Sequence, residues 1–158
     1  MQKLFLIPLL FLSACGFSPL YQKVASEQEH VPVKIAPIPK QYGLIMYQVI
    51  QNKLGGDPDS TYLLTVSAPS FSSWDQTIDD KNFTTIMGIS GSVSYTLTET
   101  GTNNVILNDS TSLTSSYSVV KDPYATTVAK RKVEKELSQQ LAEQVSLHVL
   151  GTLAGVRH

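Results

Sequence analysis

Few side chains in this 158-residue chain could do covalent, acid–base or ligand chemistry. Cys15 is the only cysteine, and His30, His148 and His158 are the only histidines. Cys15 is the most informative of them. It ends the run Leu12-Ser13-Ala14-Cys15, behind an apolar stretch from Leu4 to Leu12 that is led by Lys3. A basic start, a short apolar core and small residues before a break describe a bacterial secretion signal. The apolar run is too short to span a membrane, which takes ~20 residues. His30 lies in a polar stretch and His158 at the terminus, while His148 borders the apolar stripe of a helix and reads as a hydrogen-bonded packing residue. There is no HExxH, no paired cysteines and no glycine-rich phosphate loop. Gly88-Ile89-Ser90-Gly91-Ser92 sits inside an alternating strand and lacks the glycine spacing of a nucleophile elbow. Asp79-Asp80 are two adjacent acids in a loop, read as solvated. No nucleophile, base and stabiliser assemble, so the chain is read as a non-enzyme with no metal site.

Leu-Ser-Ala-Cys resembles the lipobox of bacterial lipoproteins. That resemblance implies cleavage before Cys15, a diacylglycerol thioether on its sulfur and an acyl group on the new amine. This covalent lipid is the only cofactor-like group expected. Two or more acyl chains hold a protein stably at a membrane, since each buried methylene contributes ~0.8 kcal/mol. Gly16, in place of a retaining aspartate, is permissive for the outer membrane. A chain whose one cysteine is acylated has no disulfide and rests on packing alone.

Composition narrows the partners. The chain carries 13 acidic and 12 basic residues, which gives no bulk attraction for nucleic acid. Charged residues are only 16%, against ~25% in ordinary soluble domains. The organisation expected is a signal peptide at 1–14, a lipidated tether at 15–30, one α/β domain at 31–150 and a flexible end at 151–158.

The elements follow from periodicity. Val31 to Pro39 is extended and proline-rich, suiting an edge strand. Tyr42, Met46, Val49, Ile50 and Leu54 mark one face of a helix over 40–54, stopped by Gly55-Gly56. Tyr62, Leu64, Val66 and Ala68 alternate as a second strand, and strand–helix–strand implies a parallel crossover. Ser70 to Asn82 reads as a connection carrying Trp74, which would be either a lid over the core or a partner anchor. A hairpin follows, turning at Thr100 to Asn104. One hairpin face takes Met87, Ile89, Val93, Tyr95 and Leu97, with Val105, Leu107, Leu113, Tyr117 and Val119 on the return strand. The last element is a helix with Asp122 as N-cap, Pro123 at its first position and Val133, Leu137, Leu141 and Val145 inward. Lys130–Glu134 and Lys132–Glu136 pair on its wet side, and Gly151 starts a loose end. The class is α+β, a two-layer α/β sandwich. A four-stranded mixed sheet is covered on one face by two helices, in the order β-α-β-β-β-α.

The other sheet face stands out. Between Phe83 and Val120 the only charged residues are Glu99 and Asp109. Ser90, Ser92, Ser94 and Thr96 on one strand, and Ser112, Thr114 and Ser116 on the next, make a face of neutral hydroxyls. Such groups donate and accept without a desolvated charge, so the face suits another protein's wet interior. Exported β proteins also favour serine and threonine, so this feature alone leaves a plain solvated face open. Lys121, Lys130, Arg131 and Lys132 gather at the start of the last helix, with Lys81 before the third strand. They could pair with lipid phosphate, or form a solvated helix face.

Two motifs name a family. Cys15-Gly16-Phe17-Ser18-Pro19-Leu20-Tyr21 resembles the CGFxPLY start of the LPS-assembly lipoprotein family, LptE, in its alphaproteobacterial branch. Ser116-Tyr117, then Asp122-Pro123-Tyr124-Ala125, Ala129 and Arg131, resembles the SY…PYA…A.R segment of the same branch. The element order agrees over nearly the whole mature chain. The resemblance implies an outer-membrane lipoprotein that plugs an LptD-like barrel in the translocon carrying lipopolysaccharide (LPS) to the outer leaflet. It makes Lys81, Lys121, Lys130, Arg131 and Lys132 candidate LPS contacts. Trp74 and the seven hydroxyl residues become candidate barrel contacts. The rivals are an auxiliary lipoprotein of an ABC-type lipid transporter or another envelope assembly adaptor, and a lipid-anchored hydrolase.

Overall fold

A computed structural model gives the fold, described for residues 33–78 and 84–156. Cys15, the signal and tether segments, Asp79-Asp80 and Lys81 lie outside the described residues. The elements are β1 (Val33–Ile35), α1 (Gly43–Leu54), β2 (Tyr62–Val66), β3 (Ser70–Ile78), β4 (Thr84–Glu99), β5 (Val105–Ser118) and α2 (Pro123–Val156). The architecture is the expected α+β sandwich, one sheet backed by two helices. The sheet has five strands rather than four.

β4 is the spine. β5 pairs antiparallel along one edge, from Ile86↔Ser118 to Thr98↔Val105. The other edge is shared. β2 takes its C-terminal part, Val66↔Tyr95 to Tyr62↔Glu99, and β3 its N-terminal part, Ser70↔Ser92 to Ile78↔Thr84. β2 and β3 are therefore one run past β4, interrupted at Ser67-Ala68-Pro69. Pro69 has no N–H to give the ladder. Ser67 repairs the break: its N–H donates to Ser94 O (2.8 Å), and its Oγ accepts the Ser94 N–H (3.0 Å) in place of a carbonyl. The expected connection at 70–82 is thus a strand from Ser70 to Ile78. Its inner positions include Ser73 and Asp75, which hide the alternation that Phe71 would announce.

β1 pairs parallel with β2, Val33↔Tyr62 to Ile35↔Leu64, as the crossover required. It is a short edge strand, ended by Pro37 after Ala36 N–H donates to Leu64 O (2.9 Å). α1 stops where expected: Gly55 is left-handed (φ 84) and donates to Gln51 O (2.8 Å). A β-carbon there would cost ~1 kcal/mol, so glycine closes this helix.

α2 spans 34 residues and β4 spans 16. At ~1.5 Å and ~3.3 Å per residue both are about 50 Å long, and α2 packs on β5, β4 and α1. Asp122 caps α2, its Oδ1 accepting the Tyr124 N–H (2.9 Å). The buried stripe begins at half-buried Val133, runs through Leu137, Leu141 and Val145, and continues to Val149 and Leu153. The helix therefore passes through Gly151 to Val156 instead of loosening there, and Leu153 is only 2% exposed. The surface pairs Lys130–Glu134 (4.0 Å) and Lys132–Glu136 (3.8 Å) form as expected. The main core joins Met46, Ile50 and Leu54 of α1 to Leu64, Val93, Tyr95 and Leu97 of the sheet and Leu141 and Val145 of α2. A second cluster, Ile89, Tyr117 and Leu137, fills the other end. Among the described residues no helix is long and apolar enough to cross a membrane.

Candidate functional site

The face of the sheet away from the helices is a grid built by strand register. Across β2/β3, β4 and β5 the outward rows read Thr65–Thr96–Asn108, Ser70–Ser92–Ser112, Ser72–Ser90–Thr114 and Trp74–Gly88–Ser116. Ser94 and Ser110 lie opposite the Ser67 break and complete the grid. Alternation puts Ile89, Val93, Tyr95 and Leu97 inward and every even-numbered hydroxyl of β4 outward. Six serines, Ser67, Ser70, Ser92, Ser94, Ser110 and Ser112, line an open hollow of about 250 Å³ over the interrupted strand. The hydroxyls partly satisfy one another: Ser70 Oγ lies 2.8 Å from Ser92 Oγ, and Thr96 Oγ1 donates to Asn108 Oδ1 (3.3 Å). Among the described residues of β2 to β5 no charged side chain sits in these rows. Lys34, on β1, borders them.

Trp74 belongs to this face. It pairs with Gly88, and a β-carbon on Gly88 would come 2.3 Å from the indole. The ring therefore lies flat over a glycine, 44% exposed, on the side of the sheet opposite the core. A lid over the core is excluded, because the sheet lies between Trp74 and the helices.

Asp109 falls on the inward face, as the odd-numbered alternation of β5 requires of it. It and Thr111 lie on the helix side of β5. Thr111 Oγ1 donates to Gln144 Oε1 (2.6 Å). Tyr95 Oη donates to Asp109 Oδ2 (3.3 Å) and lies 2.5 Å from His148 Nδ1, whose N–H can donate to the phenol oxygen. Burial first, then the Asp109 charge and hydrogen bond, push the Tyr95 pKa up to about 12. His148 is thus a hydrogen-bonding residue at the edge of the helix stripe, half exposed rather than packed in the core. Asp109 itself stays half exposed, so its carboxylate meets both Tyr95 and water. Val105 departs from the alternation. A register shift between Leu97 and Thr98 pairs Thr98 with Val105, so Val105 turns outward and is 54% exposed, and Ile106 joins the core in its place.

The basic residues stand elsewhere. Lys121 follows β5, and Lys130, Arg131 and Lys132 lie on α2, in the layer on the other side of the sheet from the hydroxyls. Tyr42 ties this part of α2 to α1: its Oη donates to Glu134 Oε2 (2.9 Å), and burial and that carboxylate raise its pKa to about 12. The structure therefore brings Trp74, Ser90, Ser92, Ser94, Thr96, Ser112, Thr114 and Ser116 together on one surface and leaves the cations off it. Chemically the face offers neutral donors, neutral acceptors and one aromatic ring. Among the described residues its serines have no base beside them, since the Tyr95–Asp109–His148 group is on the far side of the sheet.

No protein-family model matches the chain, and no curated protein matches it in sequence. Solved structures do share its fold. The rare lipoprotein B of Shewanella oneidensis superposes with a TM-score of 0.64 at 10% identity, over 80% of this chain and 98% of that one. A lipoprotein B of Nitrosomonas europaea gives 0.57 at 14% identity, over 78% and 87%. A candidate lipoprotein of Caulobacter crescentus gives 0.58 at 15% identity, over 78% and 91%. The chain has the fold of these lipoprotein B structures.

Proposed function

We propose that this chain is a lipid-anchored envelope protein of the LptE kind. Its hydroxyl face is enclosed by an outer-membrane barrel resembling LptD, within the machinery that delivers LPS to the outer leaflet. The observation that carries this is the uncharged outward face of β2 to β5, ~50 Å long at ~3.3 Å per residue. Enclosing a charge costs several kcal/mol unless it is paired, whereas a hydroxyl exchanges water for another hydroxyl or a backbone group at little net cost. The serine and threonine rows need no specific ionic partner and tolerate a hydrated wall. Among the described residues Trp74 is the one large aromatic anchor on that face, the residue type that dominates interface energetics. The shared fold of the lipoprotein B structures and the Cys15 motif agree with the reading. Lys121, Lys130, Arg131 and Lys132 fall outside the hydroxyl rows. With Lys81, they remain the candidate LPS contacts.

Affinity capture of the full protein from membranes in mild detergent tests this. Co-purification of a large outer-membrane barrel is the expected result. Retrieval of an ABC-type transporter complex instead would favour the auxiliary-lipoprotein reading and overturn this one.

A further inference from the structure

The first three turns of α2 carry an exposed surface that neither the core nor the hydroxyl face uses. Tyr124 is 76% exposed and Val128, one turn on, is 47% exposed. Arg131 and Lys135 follow at three- and four-residue steps, so all four share the side of the helix opposite Ala129 and Val133, which pack inward. Between Lys121 and Glu136 there are five cations and three acids. Each acid is engaged. Asp122 caps the helix, Glu134 accepts from Tyr42 and pairs with Lys130, and Glu136 pairs with Lys132. Lys121, Arg131 and Lys135 have no carboxylate within 4.0 Å among the described residues. A tyrosine and a valine in line with unpaired cations match a bilayer interface, where the ring sits at headgroup level and the cations meet phosphate.

We infer that this face of α2 docks on the headgroup surface of an anionic phospholipid bilayer. Charge complementarity selects that occupant, and the chain length permits it. Val33 starts at the hairpin end of the sheet, while Lys121 and Tyr124 lie at the opposite end. The 18 residues from Cys15 to Pro32 reach at most ~65 Å at ~3.3–3.6 Å each, and the body is ~50 Å long, so an anchored body can lie along the membrane. The inference rests on the lipid-anchor part of the proposed function and not on enclosure by a barrel.

The test is tryptophan quenching in the full, acylated protein reconstituted without any barrel. The reporter is Tyr124→Trp in a Trp74→Phe background, with folding checked by circular dichroism. Vesicles are neutral phosphatidylcholine, or equal parts phosphatidylcholine and phosphatidylglycerol, each brominated near the glycerol end of the acyl chain. Several-fold stronger quenching in the anionic vesicles is expected. Arg131→Glu with Lys135→Glu should return it to the neutral level. Equal quenching in both vesicles, quenching only when LPS is added, or full access of the reporter to aqueous iodide would each overturn the inference. So would a blue-shifted reporter shielded from iodide before any vesicle is present, which would mean that the chain covers the patch itself.

Discussion

Gly88→Ala probes the one place where the hydroxyl face holds an aromatic ring. The new methyl would stand 2.3–2.6 Å from three atoms of the Trp74 indole, so the ring must leave its seat. Trp74 is 44% exposed, so a little over half of its surface is buried on that seat. Taking roughly 100 Å² of apolar burial at ~25 cal/mol per Å² gives about 2.5 kcal/mol at most, and partial reseating brings the loss to about 1.5–2 kcal/mol. Replacing a strand glycine by alanine returns about 0.5–1 kcal/mol. The net expectation is about 1 kcal/mol of destabilisation by urea unfolding. Trp74 is the only tryptophan, so its emission should shift red and its acrylamide quenching should rise. In a Trp74→Ala background, followed by circular dichroism, the same substitution should stabilise by about 0.5–1 kcal/mol. Equal effects of Gly88→Ala in both backgrounds, or an unmoved emission, would refute the placement of the indole over Gly88.

Other consequences are checked with the same unfolding assays. Leu153→Ala should cost about 2–4 kcal/mol because the end of α2 is core, whereas Leu147→Ala, 59% exposed, should cost under about 0.5 kcal/mol. Equal small losses would mean that the helix end is loose after all. Ser67→Ala should cost about 0.5–1 kcal/mol by removing the acceptor for Ser94 N–H, and Ser67→Thr, which keeps the oxygen, should recover most of it. Tyr42 and Tyr95 keep their protons to about pH 12 when folded, while unfolded tyrosine loses its proton near 10. The native state then binds more protons, so stability should fall as pH rises from about 10 to 12. Tyr95→Phe should flatten that fall, and an unchanged slope would contradict the burial of Tyr95 beside Asp109.

Much of this architecture could be read from the chain because strict alternation over Met87–Leu97 leaves no choice of face, and a one-residue slip would have buried a row of serines. Helix ends were equally legible, since Asp122-Pro123 and Gly55-Gly56 have few other uses. What escaped has physical reasons. β3 is an edge strand whose inner positions Ser73 and Asp75 are not apolar, so its period is blurred. Val105 was turned outward by a register shift that no residue type announces. Gly151 reads as an end, yet a helix glycine costs only ~1 kcal/mol, which the continued burial of Val149 and Leu153 offsets. The hydroxyl surface was legible residue by residue. That Trp74 joins it required β3.

Photocrosslinking in living cells, from probes placed at Ser92 and Thr114, addresses the central claim most directly, with Leu147 on the helix layer as the control position. The account predicts that both sheet probes capture one large outer-membrane barrel with high yield and that the helix probe captures it weakly or not at all. Sheet probes that capture nothing, while the fold and the lipid anchor are intact, would show a face open to bulk water and contradict it.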